Sequence, residues 1–140
     1  MGFRILEDIV SGDFAFEAFG ETLEDLFSSC GEACFSAMAE LSKVEPRIDH
    51  SIDISADSID DLLVGFLSEL IYLKDAEKVF FSRFDIKIDN VKNSLIAVAR
   101  GERIDYNKHE IKVDVKAATY HGLEIKRHEK GFKVRVILDL

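Results

Sequence analysis

The chain has 140 residues, 27 of them acidic and 18 basic, for a formal net charge of −9, and 47% of it is hydrophobic. That is enough apolar material for one folded domain spanning residues 1–140, and too much for a disordered chain. The acid excess argues against a large nucleic-acid footprint, which rests on Lys and Arg, so no direct nucleic-acid partner is expected.

Met1 to Asp8 lacks the apolar core of a signal peptide, and no apolar run approaches the ~18 residues of a membrane span. A cytoplasmic location is expected. A short strand is predicted over Phe3 to Leu6. From Ser11 to Gly20 the pattern alternates: Phe14, Phe16 and Ala18 share one face, and Ala15, Glu17 and Phe19 the other. Asp13 stands at the mouth of this strand, as either a turn residue or half of a site.

Thr22 with Asp25 three residues on resembles a capping pair. Leu23, Leu26, Phe27, Cys30, Ala33, Cys34, Ala37, Met38 and Leu41 then keep helical spacing until Pro46 forbids continuation. Cys30 and Cys34 lie on that apolar stripe, where reduced thiols pack as core; a zinc site would need about four ligands. Arg47 to Ala56 alternates as a strand, with His50 on the apolar side as a core or edge histidine. Ser58-Ile-Asp-Asp61 caps a second helix whose buried face is Ile59, Leu62, Leu63, Phe66, Leu67, Leu70 and Ile71, and Lys74 to Lys78 either ends it or makes a polar turn.

From Val79 strands take over. Phe84, Ile86 and Ile88 alternate with charged residues, Asp89 to Asn93 reads as a hairpin loop, and Ser94 to Arg100 is apolar enough to be covered on both faces. Gly101 to Asp105 should interrupt the sheet. Ile111, Val113, Val115 and Ala117 point one way in a further strand, Leu123 and Ile125 belong to another, and Lys130-Gly131 turns into the last, with Phe132, Val134, Val136 and Leu138 inward. The basic cluster Lys126, Arg127, Lys130, Lys133 and Arg135 reads as the solvated face of that hairpin. The expected class is α+β: a mixed, mostly antiparallel sheet with two principal amphipathic helices packed on one side of it.

No phosphate-binding glycine loop and no nucleophile elbow occurs. The candidates left are carboxylates at strand ends and the segment Lys116 to His121. A metal-dependent hydrolase using Asp13 and Asp139 lacks a general base and an oxyanion donor beside them.

Those same places carry a family likeness. Asp13, the alternating strand to Gly20 and Thr22-Leu-Glu-Asp-Leu-Phe27 resemble the opening of the archease family, an acidic D-H-T-A-D, a strand, a glycine and T-L-E-E-L-F. Asp61-Leu-Leu-Val-Gly-Phe-Leu-Ser-Glu-Leu-Ile-Tyr72 is similar to its second-helix motif. Gly101-Glu102, His109, Val115-Lys-Ala-Ala-Thr-Tyr-His121 and Val136-Ile-Leu-Asp-Leu140 resemble its remaining motifs, in order. The resemblance implies a non-enzymatic protein cofactor of an RtcB-type RNA ligase in tRNA splicing and RNA repair, promoting the ligase's guanylylation and turnover. It also implies a divalent metal (Ca²⁺, Mg²⁺ or Mn²⁺) on Asp13, Asp139 and the terminal carboxylate of Leu140. Lys116, Tyr120, His121 and His109 are implied as partner or nucleotide contacts. Ile9 and Val10 stand where the family has Asp-His, and Asp8 is offset by one residue, toward the other face of a strand. The alternative is a metal-free chaperone-like or scaffold module.

Overall fold

The structure, a computed structural model, describes residues 2–6 and 13–140. Asp8, Ile9 and Val10 lie outside the described residues. In chain order the elements are β1 (Gly2–Ile5), β2 (Asp13–Gly20), α1 (Leu23–Met38), a 3-10 turn (Leu41–Lys43), β3 (Ile48–Ser55), α2 (Ile59–Glu77), β4 (Val79–Asp89), β5 (Ser94–Arg103), β6 (Ala117–Ala118), β7 (Lys126–His128) and β8 (Gly131–Asp139). The α+β class expected from the sequence is the observed one. Among the described residues no helix is long and apolar enough to cross a membrane.

The strands form two sheets where one was expected. One has the order β1-β2-β8-β6, with β7 also on β8; the other is β3-β5-β4, and every pairing is antiparallel. Helix α1 touches β1, β2 and β8 of the first sheet and β4 of the second. Its burial explains the arrangement. From Leu26 to Met38 nearly every side is covered, polar Ser28 and Ser29 included, and a helix apolar on more than one face needs more than one sheet against it. Gly31 lets the helix lie close against β4: a Cβ there would lie 2.8 Å from the Phe84 ring. Phe27, Phe35, Phe66, Phe80, Phe81 and Phe84 form a continuous aromatic cluster through this core, with centroids 5.5–6.4 Å apart.

Both caps are as the sequence implies. Thr22 Oγ1 accepts from the Asp25 N–H at 3.1 Å and Ser58 Oγ from the Asp61 N–H at 3.1 Å, each satisfying an orphan donor of a helix end. Cys30 and Cys34 are free thiols buried in the core, and burial pushes the Cys34 thiol up to about 12. His50 sets its ring edge-on to Phe81 at 5.6 Å, a packing role.

Helix α2 ends at Glu77, within the Lys74–Lys78 stretch expected to end it, and is capped by Lys78 in the left-handed conformation, φ 54°. Four expectations are corrected. Strand β5 continues through Gly101 to Arg103, pairing with Ile48 on one side and Val79 to Phe81 on the other. A break was expected because Gly and charged residues cluster there, but the glycine is what lets β4 bulge past β5 between Phe81 and Arg83. The outer face of β5 is not covered: Ile96 is 53% exposed. Finally, residues 111–116 are not part of a strand, and only Ala117–Ala118 pair there. Lys112 donates its N–H to the Met38 carbonyl at 2.9 Å, and the Val115 carbonyl accepts from Lys74 Nζ at 3.0 Å. The helices thus meet backbone groups that a neighbouring strand would otherwise meet. Ile125 likewise sits just before β7, its N–H donated to Asp60 Oδ1 at 3.0 Å.

Any Cβ at position 101 would collide with the Phe80 carbonyl. Gly101→Ala should therefore cost about 3 kcal/mol, the upper end for overpacking, read as a lower urea midpoint at unchanged slope. A loss under about 1 kcal/mol would show that β4 and β5 separate freely there.

Candidate functional site

The β2–β8 ladder brings residues near the two ends of the chain together. Phe14, Phe16 and Ala18 face Leu138, Val136 and Val134 across it on the side that enters the core. Because side chains alternate, the odd residues of both strands must point the other way. A one-residue slip would expel the whole apolar set, so core burial fixes the register. That register sets Asp13 directly opposite Asp139. Directly opposed residues share a face with Cβ atoms about 4.5–5.5 Å apart.

Both aspartates are exposed, and Leu140 beside them is half-buried against the core. On the far side of β8, Ala117 pairs with Asp139. The Lys116 N–H donates to the Asp139 carbonyl at 2.8 Å, and both the N–H and the hydroxyl of Thr119 donate to the Ile137 carbonyl at 3.0 Å. So β6 backs the end of β8. Among the described residues no Lys, Arg or His lies in ion-pair contact with either aspartate. Nor, among them, do three or more His, Cys, Asp or Glu side chains gather as metal ligands. The available side-chain donors are the two carboxylates of Asp13 and Asp139. That all-oxygen set has the chemistry for a hard cation such as Ca²⁺, Mg²⁺ or Mn²⁺ and not for tetrahedral zinc.

The strand end also carries three of the proposed contact residues. The Lys116 side chain is exposed. Tyr120 is 61% exposed in the turn after β6, and the exposed His121 donates its N–H to Thr119 Oγ1 at 3.3 Å. His109 is elsewhere. Its ring is buried edge-on to Phe80, Nδ1 accepts from the Asp105 N–H at 3.0 Å, and Nε2 lies 2.7 Å from Glu102 Oε1. With Nδ1 accepting, the proton sits on Nε2 and is donated to Glu102. Both ring nitrogens are occupied, so His109 organises the β5 exit and offers no surface contact.

Glu102 is the hub of that second cluster. Its carboxylate takes His109 and Lys108 Nζ, each at 2.7 Å, and Arg47 Nε at 3.4 Å. Burial works against its charge, but the hydrogen bonds from Lys108 and His109 prevail and hold the carboxyl below its ordinary 4.5. Lys74, in the stretch expected to end α2 or make a polar turn, is a third organiser. Its buried ammonium reaches Asp114 Oδ1 at 2.6 Å, Asp75 Oδ1 at 2.9 Å and the Val115 carbonyl. Burial alone would lower its pKa; the two carboxylates outweigh that and raise it. The signal was present, since Lys74 follows Leu67, Leu70 and Ile71 at helical spacing.

The sequence pattern of the archease protein family matches residues 3–140. A protein archease of Methanothermobacter thermautotrophicus is 36% identical over 141 residues, 99% of this chain and 99% of that protein. One of Pyrococcus furiosus is 35% identical over 123 residues, 86% and 87% of the two chains. The solution structure of Methanobacterium thermoautotrophicum protein 1598 superposes with a TM-score of 0.85 at 36% identity, covering 99% of each chain. The crystal structure of an archease, possible chaperone, from Thermotoga maritima gives 0.66 at 19% identity over 98% of each, a likeness of fold. None of these names describes an enzyme.

The Glu102 cluster sets an acid limit. A carboxyl lowered in the folded state contributes stability in full above its ordinary value, and loses it as pH falls through the lower folded value. Between about pH 5 and 3, wild-type Tm should therefore fall more steeply than that of Glu102→Gln. Parallel slopes would remove Glu102 as a cause.

Proposed function

This chain belongs to the archease family, and from that premise we propose that it is a non-enzymatic activator of an RtcB-type RNA ligase, promoting the ligase's guanylylation and turnover. The observation that carries the site's part in this is the Asp13–Asp139 pairing. Two like charges set directly opposite on one sheet face are destabilising, and no cation of the described chain answers them. A fold keeps such a pair at a cost that a bound cation offsets.

Asp13, Asp139 and the Leu140 carboxylate would hold the divalent ion. When bound, the ion supplies a hard positive centre at the rim of the domain, where a partner's acidic or phosphate groups can meet it. The chain's own residues orient that rim. β6 fixes the backbone of Asp139 through Lys116, while Lys74 ties down Asp114 and Val115 just upstream. Lys116, Tyr120 and His121 present a cation, an aromatic face and an imidazole beside it, as contacts for the ligase.

A second reading is a metal-free chaperone-like module. The small number of side-chain ligands favours it, as does the wording "possible chaperone" carried by the Thermotoga maritima protein.

In a guanylylation assay of an RtcB-type ligase with GTP and manganese, the wild-type chain should accelerate the reaction and Asp139→Ala should lose most of that effect. No acceleration by the wild type would end the activator reading. In a calorimetric titration with Mn²⁺ or Ca²⁺, Asp139→Ala should bind at least about tenfold more weakly, the change expected on losing one of three charged donors. Without metal the same variant should be more stable by up to about 1 kcal/mol, because the like-charge pair is gone. Unchanged metal affinity after deletion of residues 139–140 would show that the ion does not sit on Asp13 and Asp139, and absence of saturable heat from the wild type would leave the metal-free module.

A further inference from the structure

We propose that the outer face of the β1-β2-β8 sheet, at the end away from Asp13 and Asp139, binds a short segment of single-stranded nucleic acid. The cations of the β7–β8 hairpin would contact its phosphates, and the Phe19–His128 aromatic pair would carry its bases. The inference is independent of the ligase reading. It reverses the expectation drawn from net charge, for reasons visible only in the fold.

The hairpin register sets Lys126 directly opposite Lys133, and β2 pairing sets Phe19 on the other side of Lys133. One row across the sheet thus reads aromatic, cation, cation on one face. Two like charges directly opposed are again destabilising on their own. Two residues further along β8, Arg135 lies opposite Glu17, but the Glu17 carboxylate is taken by Arg4 Nη2 at 2.7 Å. Among the described residues none of Lys126, Lys130, Lys133 and Arg135 enters an ion pair. In a chain with nine more acids than bases, this corner stays positive.

The aromatic element is what selects the ligand class. Phe19 and His128 have ring centroids 5.9 Å apart, tilted by 49°, and both are half-exposed. They border a depression of about 410 Å³ with Lys130, and Glu21 and Glu129 stand on its rim. Arg127 points to the opposite face, over the Phe132 ring at 5.1 Å. An acidic protein surface would be met by the lysines alone. Flat rings interleaved with unpaired cations on an open sheet face suit bases and phosphates together.

The acids at the other end of the face bound the footprint. Asp139 is six residues from Lys133 along β8, about 20 Å away at strand rise. A strand of nucleic acid running that far would meet Asp13 and Asp139. The site therefore takes a few nucleotides, with about three phosphate contacts, and longer oligonucleotides gain nothing per site.

The test is fluorescence anisotropy with labelled ten-nucleotide oligouridine and oligodeoxythymidine at low salt. Saturable binding of either is expected, the tighter of the two naming the natural sugar, with log K falling against log salt at a slope of about −2. The Lys126→Gln, Lys133→Gln double variant should bind at least tenfold more weakly. Phe19→Leu, which keeps an apolar side chain and removes the ring, should lose about fivefold or more at unchanged salt slope. Asp139→Ala should leave binding intact or slightly tighter, which separates this site from the carboxylate pair. Absence of saturable binding overturns the proposal. So does polyglutamate competing as well as either oligonucleotide while Phe19→Leu binds like wild type, since the face would then serve an acidic protein.

Discussion

The antiparallel pairing of β2 with β8 is the constraint on which the rest of the structure depends. It closes the first sheet around α1, with Phe16 and Ala18 meeting Val136 and Val134 under the helix. It also dictates the outer face without further choice. Once the even-numbered residues are buried, Asp13, Glu17 and Phe19 must stand beside Asp139, Arg135 and Lys133. The geometry of both proposed sites is therefore inherited from core packing.

Much of this was legible in the residues because the local signals agree with the tertiary ones. Thr22 and Ser58 mark both helix starts, and the alternation in β2, β3, β4 and β8 gave the right inward faces. The likeness that linked Asp13 to Asp139 came from motifs. Spacing alone could not have shown that the two are cross-strand neighbours. What stayed hidden was long-range. Ile111, Val113 and Val115 alternate like a strand, yet their segment is held by Lys74 and the Met38 carbonyl. Period two reports an extended chain with two unlike sides; it does not say whether another strand lies alongside. The buried role of His109, which the resemblance implied as a partner or nucleotide contact, stayed hidden for a similar reason, since its partners Glu102, Asp105 and Phe80 can be recognised only after β5 is known to continue to Arg103.

Charge is arranged in this protein by burial and by partner. The buried charges Lys74 and Glu102, and the half-buried Arg100, each sit among two or more opposite charges, which offsets their desolvation. On the outer face of the first sheet the rule lapses at both ends. Asp13 faces Asp139, Lys126 faces Lys133, and between them lies the Arg4–Glu17 pair. A single net charge averages over these poles and describes neither.

The Asp13–Asp139 register also has a meaning in time. Nearly the whole chain lies between the two residues, so their pairing is among the most non-local contacts available, and its loop-closure entropy is met only after the intervening elements have folded. A chain cut before β8 lacks the strand that sets the carboxylates together. Any activity that needs the pair is therefore withheld until the domain is complete.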